Sequence, residues 1–237
     1  MDLGIAGRVA LVTAASKGLG RGAALALARE GCRVAICARG EDALAATAAE
    51  LGPDTLAIAA DVTDPDTPLR LVRETVERFG RLDILVANAG GPPKARALEL
   101  SDDAVRAAVE ANLLTSIRLV RGAVPHMRTR SWGRIVLVTS NTIKQPIPDL
   151  AASTVARTGL WGWAKSAAQD LADDGITLNV VAPGLHSTDR VRELGHAGRL
   201  GDPEDFGRVV AFLCSTSAAF VSGTALQVDG GGTLALL

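Results

Sequence analysis

The sequence predicts a doubly wound α/β fold, in which a parallel sheet of about seven strands carries helices on both faces within a single domain spanning residues 1–237. Three observations carry this expectation. Short β-branched runs alternate with longer stretches rich in Ala, Leu and Arg. The runs are continuously apolar rather than alternating, as in strands covered on both faces. Pro and Gly clusters at Gly90–Pro93, Pro146–Pro148 and Pro183–Gly184 mostly follow strand ends, where open α/β sheets bind ligands.

In chain order, strands are expected at Val9–Thr13, Val34–Ala38, Thr55–Ala60, Ile84–Ala87, Ile135–Thr139 and Thr177–Val181. The intervening helices fall at Gly20–Glu30, Asp42–Leu51, Pro65–Phe79, Asp102–Arg128, Leu150–Ala172 and Pro203–Ser215. The alanine-rich stretch from Ala43 to Ala49 keeps the spacing of a helix with an apolar face. Val209–Val228 is free of charge and long enough to span a bilayer. Ser215, Thr216, Ser217, Ser222, Gly223, Thr224 and Gln227 interrupt it, so a buried helix, a turn and a buried strand fit it better. No fixed-period repeat is visible.

With 48% apolar residues, a chain of 237 residues can build one substantial core. A net charge of −1, without a basic run, argues against nucleic acid and anionic-membrane partners. Cys32, Cys37 and Cys214 are an odd set without Cys-x-x-Cys spacing, which suits a reducing compartment. Met1–Arg8 carries no secretory pattern, so a cytoplasmic location is expected. His126, His186 and His196 are too scattered for a metal set, and none is expected.

After the first strand comes Thr13-Ala14-Ala15-Ser16-Lys17-Gly18-Leu19-Gly20, followed by a helix. Backbone N–H groups and a helix N-terminus would there face an anion, the arrangement of a dinucleotide site. At the end of the second strand stands Arg39 in place of the acid that would bind ribose hydroxyls. Arg39 and Lys17 offer positive charge to a 2′-phosphate, so NADP(H) is expected over NAD(H). The structural alternative for Arg39 is an exposed helix-start arginine.

This loop, together with later segments, resembles the short-chain dehydrogenase/reductase family, with its Rossmann-type fold, over essentially the whole chain. Ala14 replaces the first glycine of the family's turn, a change that is harmless if its φ is negative. Asp61-Val62 resembles the pair that contacts adenine, and Ala87-Asn88-Ala89-Gly90 resembles the turn after strand four, where Asn88 reads as a brace of the sheet. Asn179-Val180-Val181-Ala182-Pro183-Gly184 resembles the family's Asn-x-Val-x-Pro-Gly segment, and Thr188 stands where a hydroxyl binds the nicotinamide carboxamide. Asp229-Gly230-Gly231 matches the C-terminal ending. Within the family, the likeness is to 3-oxoacyl-acyl-carrier-protein reductases, including an atypical subgroup with incomplete catalytic residues, a likeness carried by Ser140–Pro148. It implies a homodimer or homotetramer built through residues 102–128 and 150–172, and a small carbonyl or alcohol substrate, including a thioester.

The family's reaction uses Asn, Ser, Tyr and Lys, yet this chain contains no tyrosine. The resemblance places Asn112 and Ser140 at the first two positions. Counting back from Gly175-Ile176-Thr177 puts Ser153 at the tyrosine position and Arg157 at the lysine position. Ser153 follows Ser140 by thirteen residues, as expected. Trp161 and Lys165 share the four-residue spacing, but that register leaves the helix too short, and indole only donates weakly. Trp161 and Trp163 read as core or interface packing.

A serine hydroxyl is a far poorer acid than a phenol, and an arginine with a pKa above about 12 does not shuttle protons. A general acid contributes about 100- to 10,000-fold, so much of the rate is at stake. His186, two residues beyond Pro183-Gly184, is a candidate replacement donor, with a solvated loop histidine as the alternative. Lys144 reads as a surface lysine near the pocket, His126 as a partner of a helix dipole, and His196 as a lid residue. No Gly-x-Ser-x-Gly elbow surrounds Ser140, so hydrolysis is disfavoured. Two functions remain: an NADP(H)-dependent oxidoreductase with a departed tetrad, or an impaired NADP(H)-binding pseudoenzyme acting as a sensor or partner subunit.

Overall fold

A computed structural model describes residues 2–193 and 199–236. His196 lies outside the described residues. Seven parallel strands form one sheet: β1 (Val9–Thr13), β2 (Arg33–Ala38), β3 (Leu56–Ala59), β4 (Ile84–Ala87), β5 (Gly133–Val138), β6 (Ile176–Pro183) and β7 (Ala225–Val228). Their spatial order is β3-β2-β1-β4-β5-β6-β7. The order reverses between β1 and β4, which opens a crevice at their carboxyl ends.

The helices are α1 (Gly18–Arg29), α2 (Glu41–Leu51), α3 (Thr67–Phe79), α4 (Asp102–Val109), α5 (Thr115–Arg128), α6 (Ala151–Asp170), α7 (Asp189–Glu193) and α8 (Pro203–Leu213). They divide the core in two. One cluster packs α3, α5 and α6 on one face, through Leu71, Leu119, Met127 and Leu160. The other packs α1 and α8 on the opposite face, through Ala23, Leu27, Phe206 and Val210. β1, β4, β5 and β6 are buried along their whole length, whereas the edge strands β3 and β7 are partly exposed. Burial on both faces is why the central strands read as unbroken apolar runs.

Most elements fall within two residues of their sequence-based bounds, with one informative difference. The expected helix over 102–128 is broken by a π turn, Glu110–Leu114, which separates α4 from α5. Apolar spacing continues through the turn, so periodicity alone hides it. The uncharged segment 209–228 forms the end of α8, a turn and β7, as expected, although β7 is only partly buried. Among the described residues no helix is long and apolar enough to cross a membrane.

Side chains tie the carboxyl ends of the central strands together. Thr13 Oγ1 donates to Asn88 O at 2.7 Å and accepts from Asn88 N at 2.9 Å. Asn88 Nδ2 donates to Ala14 O at 3.3 Å, the bracing role expected of it. Close approach of α1 to its neighbours depends on small residues: a Cβ on Gly20 would lie 2.3 Å from Ala14 O, and one on Gly22 would lie 2.0 Å from Pro203 O on α8. Replacing Thr13 with valine keeps the volume but strands the partly buried Asn88 N–H. A loss of about 1–3 kcal/mol in urea-unfolding stability is expected for Thr13→Val.

Candidate active site

The first turn of α1 has no side-chain cap and no acidic residue, so its N–H groups remain open at the crevice. A cleft of about 740 Å³ runs from there across the strand ends. Of the residues singled out in the sequence, Ser16, Lys17, Arg39, Asp61, Val62, Ala89, Gly90 and Asn112 line it. They come from the four connections that leave β1, β2, β3 and β4, and from the π turn that carries Asn112.

At one end, Arg39 is 78% exposed and lies 3.8 Å from Asp61. The Asp61 carboxylate accepts from Thr63 N at 2.9 Å and Thr63 Oγ1 at 2.8 Å. The Thr63 N–H, with Arg39 adding to it, holds Asp61 below the usual carboxylate range. Lys17 reaches across the mouth to Asp189 on α7 at 3.5 Å, and Arg192 Nη2 donates to the same carboxylate at 2.5 Å. Arg192 first, then Lys17, lower the Asp189 pKa. Below this pair, a Cβ on Gly18 would lie 3.2 Å from Thr188 Cγ2, so the segment after β6 rests on the phosphate loop.

At the other end, Asn112 sits inside the π turn, only 2% exposed. Neither amide atom has a partner among the described residues. Buried polar groups are almost always hydrogen-bonded, so this amide marks a place for a water or a ligand atom. Ser140, at the end of β5, accepts from Thr142 N at 3.3 Å and donates to Asn141 Oδ1 at 3.3 Å. Both bonds are long, which leaves the hydroxyl able to turn to a better acceptor.

Ser153 and Arg157 are one turn apart on α6 and both buried. Ser153 has no side-chain hydrogen bond among the described residues, and its neighbour Ala152 lines the cleft. The Arg157 guanidinium donates through Nη1 to Val138 O at 2.8 Å and through Nη2 to Ala89 O at 3.3 Å. Burial pushes its pKa down to about 10, which still leaves it charged at neutral pH. Arg157 therefore bridges the ends of β4 and β5, directly behind the turn that carries Ala89 and Gly90.

Several expectations change here. Ala14 has φ +48°, not the negative value that would make its Cβ harmless, so a strained left-handed alanine begins the turn. His186 is 4% exposed, and its Nδ1 lies 3.1 Å from Gly184 O. Its ring stands edge-on to Phe206 at 5.4 Å, and a Cβ on Gly201 would lie 2.8 Å from Nε2. That packing encloses the ring, so His186 is not the solvated loop histidine of the alternative, and it is not among the residues that line the cleft. Lys144 is not free in solvent either, because its Nζ sits 4.1 Å above the Trp161 ring. Trp161 and Trp163 pack against the core as expected, and His126 lies in the last turn of α5. Pro183 closes β6, and Gly184 N donates to Val228 O at 3.0 Å. Leu19 packs, half-buried, against the α1–α8 core.

The sequence reading missed a wall of the cleft formed by Ala104, Ala107 and Ala108 on α4 and Ala111 in the π turn, with Leu100 and Pro93 also lining the cleft. The i, i+3, i+4, i+7 spacing of those alanines was the available signal. Among the described residues no group of three or more His, Cys, Asp or Glu could hold a metal ion.

The residues present fit a dinucleotide: open N–H groups at α1, two cations near the adenosine end, open space at Gly90 where a Cβ would project, and an unpartnered buried amide at the far end. Fold and site together define a dinucleotide-binding oxidoreductase scaffold. A family model described as enoyl-(acyl carrier protein) reductase matches residues 13–233. The chain is 35% identical over 236 residues to the 3-oxoacyl-[acyl-carrier-protein] reductase of Escherichia coli, covering 95% of this chain and 97% of that one. L-sorbose reductase from Gluconobacter frateurii, solved with NADPH and L-sorbose, superposes with a TM-score of 0.92 at 32% identity, over 99% of this chain and 100% of that chain. A variant of actinorhodin polyketide ketoreductase with NADPH gives 0.88 at 34% identity, over 95% and 97% of the two chains. The chain belongs to the short-chain dehydrogenase/reductase family.

Ala14→Gly removes the left-handed strain without disturbing the Asn88 contact, which reaches backbone only. Thermal denaturation is expected to show a gain of about 1 kcal/mol.

Proposed function

We propose that this protein is an NADP(H)-dependent oxidoreductase that moves hydride to or from a small carbonyl or alcohol of 3-oxoacyl or polyketide type. The observation that carries the reading is the cleft itself, with Lys17 and Arg39 at one end and the orphaned Asn112 amide at the other. NADPH in two solved relatives supports the choice of cofactor. The preference over NAD(H) rests on Arg39, whose exposed guanidinium can turn from Asp61 to a 2′-phosphate.

When bound, the nicotinamide supplies or accepts the hydride. Thr13, Gly18, Leu19 and Gly20 would hold the pyrophosphate, and Asp61 and Val62 would hold the adenine. Pro183, Gly184 and Thr188 would hold the nicotinamide. Ser140 Oγ–H donates to the substrate oxygen, and Asn112 orders a water beside it. Ser153, in the place of the family's tyrosine, is too weak an acid to replace it. Arg157, in the place of its lysine, is a positioning residue: two of its donors are committed to Val138 O and Ala89 O, so it fixes the turn and adds positive potential.

A second reading, a pseudoenzyme that senses NADP(H) or supports a partner subunit, draws on the same two replacements. In either case the chain works in the cytoplasm, in keeping with three free buried cysteines, as a homodimer or homotetramer joined through α4, α5 and α6.

Titration of the full chain with NADPH, followed by the rise in dihydronicotinamide fluorescence, tests the cofactor site, and no association would end the redox reading. Arg39→Ala is expected to weaken NADPH about 10- to 100-fold while changing NADH little, since a charge-assisted bond of about 1.5–3 kcal/mol is lost only with the phosphate. Ser153→Tyr combined with Arg157→Lys is expected to raise single-turnover reduction of a 3-oxoacyl thioester by about 100-fold or more. No gain, with NADPH still bound, favours the sensor.

A further inference from the structure

We propose a second binding site on the flank of α6, a groove that takes a flat aromatic anion of the aryl carboxylate class. The proposal does not depend on the redox reading, because the groove shares no lining residue with the cleft.

The groove has a volume of about 540 Å³, within the range of small-molecule sites. Thr158, Trp161, Gly162 and Lys165 of α6 line it together with residues 222–225, which lead into β7, and Lys144 from the loop after β5. Two features of this lining have no explanation in the packing of the fold.

The first is charge. Lys144 and Lys165 bring two ammonium groups to the groove, and its lining holds no carboxylate. Among the described residues neither lysine makes an ion pair. Lys144 Nζ sits 4.1 Å above the Trp161 ring, and Lys165 Nζ donates to Gly223 O at 3.0 Å. Positive charge gathered in a concave site without a counter-ion draws anions to it.

The second is Gly162. A glycine inside a helix weakens it relative to alanine, so its presence asks for a steric reason. In α1 and α8 that reason is plain, since a Cβ on Gly20, Gly22 or Gly207 would come within 2.3 Å of backbone. A Cβ on Gly162 would meet nothing within 4 Å. The missing side chain therefore relieves no contact within the chain and leaves the groove wider.

Charge and shape together specify the ligand. A carboxylate answers the two ammonium groups, and a planar ring lies along Trp161 and the bare backbone of Gly162. An inorganic anion would leave most of the volume, and the apolar surface of Trp161 and Ala225, unused.

Equilibrium dialysis of the full chain against 2-naphthoate tests this, with 2-naphthamide as the uncharged isostere and acetate as the anion without a ring. Naphthoate is expected to bind at least about 10-fold tighter than either, from two partly exposed charge contacts in the first comparison and buried ring surface in the second. Lys144→Gln combined with Lys165→Gln is expected to bring naphthoate down to the level of naphthamide. Gly162→Leu, which fills the groove, is expected to weaken both aryl ligands by about 10-fold or more. Circular dichroism of each variant checks that the fold is kept. Naphthoate binding no tighter than naphthamide or acetate overturns the proposal, as does undiminished binding by Gly162→Leu. A preference for naphthoate that survives the double lysine substitution, or that vanishes in Lys17→Gln with Arg39→Gln, overturns it too, because the anion then sits in the cofactor cleft or elsewhere.

Discussion

The structure depends on the fastening of three strand ends at one point. Thr13 and Asn88 exchange hydrogen bonds between β1 and β4, Asn88 reaches on to Ala14 O, and Arg157 spans Ala89 O and Val138 O from behind. A doubly wound sheet opens a crevice wherever its order reverses, but twist alone leaves the lips of that crevice loose. These side-chain-to-backbone bonds set its width. Thr13, Asn88, Ala89 and Arg157 form this knot, and Ser140 follows closely on the end of β5.

Arg157 is the costly member. A guanidinium removed from water without a carboxylate partner is destabilising, and its depressed pKa is the mark of that cost. Two carbonyls recover part of it, and the remaining donors hold positive potential beside Ser140 and Ser153. A lysine offers one ammonium from a flexible stem, whereas the planar fork of arginine spans two acceptors on different strands. Arg157 is thus a fixed cation, anchored to two strands at once.

Much of this was legible in the sequence, because the central strands and the phosphate loop are specified locally. β1 and β4 coincide with their apolar runs, and the Gly18–Gly20 turn is fixed by close contacts that only small residues allow. What the sequence hid are features set by distant partners. Ala14 has a positive φ, and its carbonyl accepts from Asn88, 74 residues away. His186 looked available in a loop, and Phe206 and Gly201 enclose it. The alanine wall of α4 carried a helical signal, but small residues announce neither a core nor a cavity until the opposite side is known.

The π turn at Glu110–Leu114 has a reach beyond the amide it exposes. Each residue of an α-helix advances the chain by about 100°, so the surplus residue in a π turn resets the rotational phase of all that follows. Leu119, Val120, Ala123 and Met127 meet the sheet only in the reset phase. Shortening the turn by one residue would close the niche around Asn112 and, in the same stroke, swing that apolar stripe of α5 toward solvent. Drift toward a regular helix is thereby penalised in folding before it is felt in chemistry, and the irregularity is protected by the core it aligns.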